Sequence, residues 1–117
     1  MAYVDGFVLP VQKKHLAAYK KLARIFGAIC RENGVQEYFE CVAEDLSSPV
    51  GVPFDKLLKL KKGETAIFSW VIFKSKAHRN KVHAALMRDP RMTKGPKVMP
   101  FDMKRMSWGG FAPIIKM

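Results

Sequence analysis

The chain opens on a short run in which apolar residues outnumber polar ones, Tyr3-Val4-Asp5-Gly6-Phe7-Val8-Leu9, with Asp5 the polar interruption. Residues 2–10 read as a first strand, and Pro10 suits its end. From Lys13 to Asn33 the period changes. Leu16, Tyr19, Ala23, Phe26 and Cys30 recur at spacings of three and four, which sets them on one face of a helix. Lys13, Lys14, Lys20, Lys21, Arg24 and Arg31 fill the rest as a solvated face, and Asn33-Gly34 supplies the C-cap. Gly27 in mid-helix costs about 1 kcal/mol against alanine, so close packing is expected there.

A second strand is expected over 35–44, with Tyr38, Glu40 and Val42 on one side and Phe39 and Cys41 on the other. It is the most acidic of the strands and is therefore placed near a sheet edge. Ser47-Ser48-Pro49-Val50-Gly51-Val52-Pro53 reads as loop. Phe54 to Leu60 suits a short helix with Leu57, Leu58 and Leu60 inward. The stretch Ala66-Ile67-Phe68-Ser69-Trp70-Val71-Ile72-Phe73 is uncharged and apolar on both faces except at Ser69, so it predicts a strand covered on both sides. Ser75 caps a helix running to Arg88, with Val82, Ala85 and Leu86 inward, and Asp89-Pro90 stops it. A loop rich in proline and methionine leads to a last strand over 106–115, where Gly109-Gly110 marks a bulge or a close backbone approach.

The order is β-α-β-β-α-β, which folds as a ferredoxin-like α+β sandwich: an antiparallel sheet with both helices on one face. One domain spans 1–117, a length that leaves no room for a second core. Two helices cover one side of the central strand. A second copy is the simplest cover for the other, which would close a homodimer into a dimeric α+β barrel.

Composition changes the picture at one point. Twenty-one Lys and Arg against ten acids give a net charge of +11, a surplus that attracts polyanions. The basic residues read as spread out, without interleaved aromatics, so nucleic acid is the alternative partner and a solvated basic surface the simpler reading. No apolar run reaches the roughly 18 residues of a membrane span, and no signal peptide is recognisable at Met1, so a cytoplasmic protein without membrane contact is expected. Cys30 and Cys41 read as small packed thiols. The histidines His15, His78 and His83 lack the spacing of a metal site, and no glycine-rich phosphate loop or nucleophile motif is present. No cofactor and no metal is expected.

Candidate chemistry gathers at strand ends: Asp5, Glu40, Asp89, Arg91, Asp102 and Arg105. Arg105, three residues after Asp102, could pair with it in bidentate fashion and pin the last loop to the last strand, which is the favoured structural role. In a functional role Arg91 or Arg105 would hold a ligand's carboxylate or phosphate, with Glu40 or Asp102 as proton acceptor. Trp70, Phe101 and Trp108 would line such a pocket, or else pack the core or a dimer interface. The expected function is binding of a small molecule, anionic if the arginines hold it, in the cleft between sheet and helices. Whether catalysis follows is left open.

Several blocks also stand together in an order that is familiar: Tyr3-Val4-Asp5-Gly6-Phe7, Glu40-Cys41, Phe68-Ser69-Trp70, Asp89-Pro90-Arg91-Met92 and Met99-Pro100-Phe101-Asp102-Met103-Lys104-Arg105-Met106, ending in Gly109-Gly110-Phe111. In these the chain resembles the YbaA-like family of small bacterial proteins, the domain of unknown function DUF1428. The resemblance spans nearly the whole chain. It implies the dimeric α+β barrel superfamily as the fold, in agreement with the strand and helix order, and it implies no particular activity.

Overall fold

A computed structural model describes residues 1–117. Four strands, β1 (Tyr3–Gln12), β2 (Glu37–Val42), β3 (Glu64–Phe73) and β4 (Ser107–Phe111), pair antiparallel in the order β2-β3-β1-β4. Two long helices, α1 (Leu16–Glu32) and α3 (Lys76–Arg88), are joined by two single turns, α2 (Phe54–Leu57) and α4 (Pro90–Thr93). This is the ferredoxin-like arrangement, with β1 and β3 central and the acidic β2 at an edge as its composition predicts.

The period of two along the strands sorts side chains between two faces. On the helix face Leu9, Val11, Ile67, Val71 and Phe73 are buried against Tyr19, Ile29, Cys30, Val82 and Leu86. Tyr19 and Cys30 belong to the predicted stripe of α1, and Val82 and Leu86 to the inward residues of α3, while Ile29 is a core residue outside the stripe. Ser75 caps α3 as expected, its hydroxyl accepting from the His78 N–H. Burial also raises the Cys30 thiol to about 12, with the Asp5 charge adding to it, so this cysteine stays protonated.

Several boundaries move for identifiable reasons. β1 continues through Pro10 to Gln12, because the β4 pairing stops at Val8 and leaves that edge of β1 tolerant of a residue without an N–H. α1 begins only at Leu16; no side chain caps it, and Lys13–His15 enter as a 3-10 turn. β2 is shorter than expected, although Gln36 and Ala43 each donate one further backbone bond to β3. β4 ends at Phe111, opposite Val4 and one residue short of the start of β1, and Pro113 follows. Leu57, expected inward, is exposed on the single turn of α2, and Leu58 is the buried one. α4 has no hydrophobic period to announce it; Asp89 accepts from the Arg91 N–H and Pro90 opens the turn.

Two glycines mark close approaches. A Cβ on Gly27 would lie 3.0 Å from the Tyr38 ring, so the residue that weakens α1 lets β2 pack against it. A Cβ on Gly110 would collide with Tyr3 and Arg79, which lie across β4 there. The glycine pair in β4 is thus a close approach, and the β1–β4 register runs through it unbroken.

Candidate functional site

Between α1, the sheet and the segment 99–106 lies a cavity of about 220 Å3. Its walls are Phe7 and Leu9 from β1, Leu22, Ala23 and Phe26 from α1, and Met92, Met99, Phe101, Met103 and Met106 from the C-terminal loops. Tyr19, Tyr38, Glu40 and Ser69 are its polar side chains. Each comes from a position dictated by local structure. Tyr19 belongs to the apolar stripe of α1, Tyr38 and Glu40 share the inward face of β2, and Ser69 is the register partner of Glu40 on β3. Ser69, the one polar residue of the stretch 66–73, thus faces the hollow.

At the polar end Tyr19 donates to Glu40 Oε1 at 2.7 Å, and Tyr38 donates to Glu40 Oε2. Glu40 sits at the free edge of the sheet and is exposed as a residue, but its carboxylate is crowded between the two phenols. Desolvation holds its pKa above the ordinary carboxylate value, against the opposing pull of the two hydroxyls. Both tyrosines are pushed far above their usual range, first by burial and then by the carboxylate beside them. On its outer side the same trio borders a broad groove along α1 and β2, where Lys20, Arg24 and Arg31 stand.

The structure brings Glu40 and Phe101 together at the cavity and places the other expected site residues elsewhere. Arg105 does not pair with Asp102. Its guanidinium binds Glu64 at 2.6 and 3.0 Å and the carbonyls of Leu58 and Lys59, tying the last loop to the turn before β3. Asp102 accepts from the Lys104 N–H, capping a 3-10 turn at Met103–Arg105. The expected pair failed because an aspartate two residues before a backbone N–H finds a local partner first. Arg91 forks between Glu32 and Asp89 at the protein surface, where its hydrogen bonds hold both carboxyls below their usual range. Neither arginine lines the cavity, so the anion-holding role expected of them has no geometry behind it.

Trp70 lies on the opposite face of the sheet, stacked on Phe39 with ring centroids 4.8 Å apart. Trp108 stacks on Phe7 and touches His83. Asp5 is fully buried, with Arg79 at 3.0 Å and His83 at 2.7 Å, so it anchors α3 to β1. The partners of Asp5 are 74 and 78 residues distant, which no spacing rule reaches. His78 binds the Asn33 carbonyl and closes the end of α1. The polar cavity residues missed from the sequence as site candidates are Tyr19, Tyr38 and Ser69. The signal for two of them was available: tyrosine and serine break apolar patterns on positions facing inward.

Fold and pocket together define an α+β protein of ferredoxin-like topology with an apolar cleft under its first helix. The chain belongs to the family described as "Protein of unknown function (DUF1428)", which matches residues 2–103. It is 37% identical over 115 residues to "Uncharacterized protein YbaA" of Escherichia coli K12, covering 98% of both chains, and equally so to the protein of that name from Shigella flexneri. Among solved structures it is similar to Rv0793 from Mycobacterium tuberculosis, at a TM-score of 0.56, 13% identity and coverage of 99% of this chain and 98% of that one. It is also similar to an uncharacterized NIPSNAP domain protein from Burkholderia xenovorans, with a TM-score of 0.56, 12% identity and coverage of 95% and 93%. At those identities the likeness is one of fold. No helix is long and apolar enough to cross a membrane.

Proposed function

We propose that the protein is a homodimer that binds a small, mainly apolar molecule in the cavity beneath α1. The observation that carries the binding reading is the cavity itself: ten apolar side chains around a hollow of about 220 Å3, with a polar cluster at one end. Ligand sites have this composition, and the volume, below the roughly 300–1,000 Å3 of drug-sized sites, suits a compact ligand. Four methionines in the wall give it adaptable side chains. The dimer reading rests on the other sheet face, where Phe39, Phe68, Trp70 and Phe111 form an aromatic surface that neither long helix covers and only Phe54 of α2 touches. Phe39 is 47% exposed and Phe111 62%. A second copy laid on it would close the barrel and cover the central strand on both sides.

A thermal-shift screen of compact apolar metabolites tests the binding reading. Stabilisation is expected for wild type and its loss for Ala23→Leu, which narrows the cavity; absence of stabilisation by every class tried would overturn it.

A second reading has its own observation. The exposed residues of the helix layer include Lys13, Lys14, Lys20, Lys21, Arg24, Arg31, Lys76, Lys81 and Arg88, and Glu32, held by Arg91, is the sole acid on α1 and α3. The basic residues are spread over the whole chain, but acids are nearly absent from this layer, so its net charge is strongly positive and suits a polyanion such as RNA. Binding of this kind weakens steeply as salt rises. A gel shift that is absent at about 0.15 M salt would remove it.

A further inference from the structure

The donors and acceptors at the polar end of the cavity do not balance. Tyr19 and Tyr38 each have one hydroxyl proton, and both protons go to Glu40. What remains for a ligand is the lone pairs of two phenol oxygens and of a carboxylate. Ser69 is the one other polar side chain in the wall, and the thioethers of the methionines are weak acceptors. No Lys or Arg lines the cavity, in a chain that carries 21 of them.

Glu40 is also the exception among the carboxylates that bond across elements. Asp5 has Arg79, Glu32 and Asp89 share Arg91, and Glu64 has Arg105. Glu40 has two neutral hydroxyls and no cation, although Lys20 and Arg24 stand in the groove on its outer side. A carboxylate crowded between two phenols without a counter-charge is favoured by a cation that arrives with the ligand. Aromatic faces around the hollow, Phe7, Phe26 and Phe101 with the two tyrosines, are favourable neighbours for a cation as well.

Resting on the pocket reading above, we propose that the ligand is an apolar amine whose ammonium group sits on Glu40, Tyr19 and Tyr38 while its hydrocarbon or aromatic body fills the methionine-lined hollow. An ammonium brings three donors to a cluster of four acceptor oxygens, two phenolic and two of the carboxylate. A carboxylate of the same shape meets the Glu40 charge and finds only the Ser69 hydroxyl as a donor, so it is disfavoured.

The test uses the full chain labelled at its methionine methyl groups, with the resonances of Met92, Met99, Met103 and Met106 as reporters of occupancy. The probes are phenethylamine, 2-phenylethanol and phenylacetate, which share a body and differ in the polar end. Phenethylamine is expected to bind at least about ten-fold tighter than phenylacetate, with the alcohol between them. Glu40→Gln keeps the shape and removes the charge; it should cost phenethylamine about ten-fold and change the alcohol little. Tyr19→Phe serves as a second variant, with a several-fold loss expected for the amine. Equal binding of amine and carboxylate, or an amine affinity unchanged in Glu40→Gln, overturns the amine proposal and leaves the pocket standing. If none of the three probes moves the methionine methyls, the pocket reading falls with it.

Discussion

Arg105 shows how much one side chain can hold together in this molecule. Its guanidinium meets both oxygens of Glu64 and two backbone carbonyls, joining the C-terminal loop to the turn before β3. Its side chain is 22% exposed and that of Glu64 9%, so the pair is largely withdrawn from water. Arg105→Met keeps the stem and removes the fork, and should lower stability by about 2 kcal/mol, read from urea denaturation; a loss under a few tenths would show the fork to be dispensable. Glu40 carries a different residue-scale prediction. Its folded pKa is raised, chiefly by desolvation, so the native state holds the proton more tightly than the unfolded chain does. The associated stability is full below the ordinary glutamate pKa and is lost as pH rises through the raised value. Glu40→Gln has no such titration. Its stability relative to wild type should therefore rise from acid to neutral pH, and melting curves at a series of pH values that stay parallel would refute this.

At the scale of elements, the spacing of Leu16, Tyr19, Ala23, Phe26 and Cys30 was enough to place α1 and its buried face, because helical period and burial are the same signal. Strand alternation placed Tyr38 and Glu40 together on one side of β2 in the same way. What stayed illegible were contacts between elements remote in sequence: Arg105 with Glu64, and Asp5 with Arg79 and His83. Such pairs follow from strand register and helix docking, which no local pattern contains. The cavity itself was half legible, since Glu40 and Phe101 stood out as residues of possible chemistry while Tyr19 passed as one more core aromatic. Gly27 joins the two kinds of information. Alanine there should favour the isolated helix by about 1 kcal/mol, yet its Cβ would press on the Tyr38 ring that Glu40 holds in place. Gly27→Ala should consequently be less stable than wild type despite the better helix, with Tyr38 displaced. A variant that gains the full propensity would show that β2 can retreat freely.

For the whole molecule, the central question is what covers the aromatic side of the sheet. On the helix face the central strand buries Ile67, Val71 and Phe73 almost completely. On the other face Phe68 is 43% exposed, and it is flanked by Trp70, by Phe39 stacked on that indole, and by Phe54 from α2. Monomeric proteins rarely leave contiguous apolar patches of this kind open, because each buried aromatic side chain contributes about 1.5–3 kcal/mol. The +11 charge acts the other way, since two copies repel. That repulsion is concentrated on the helix layer, which faces away from the sheet surface where pairing would occur, and salt screens it within about 8–10 Å. Burial should therefore win, and added salt should tighten the dimer slightly. Phe39→Glu sets a charge on the aromatic surface at its β2 side without touching the helix-side core. Sedimentation should find wild type as two copies at micromolar concentration and this variant as one, with its melting transition retained. Single copies in both, at low and high salt alike, would mean that the aromatic face serves some occupant other than a second chain.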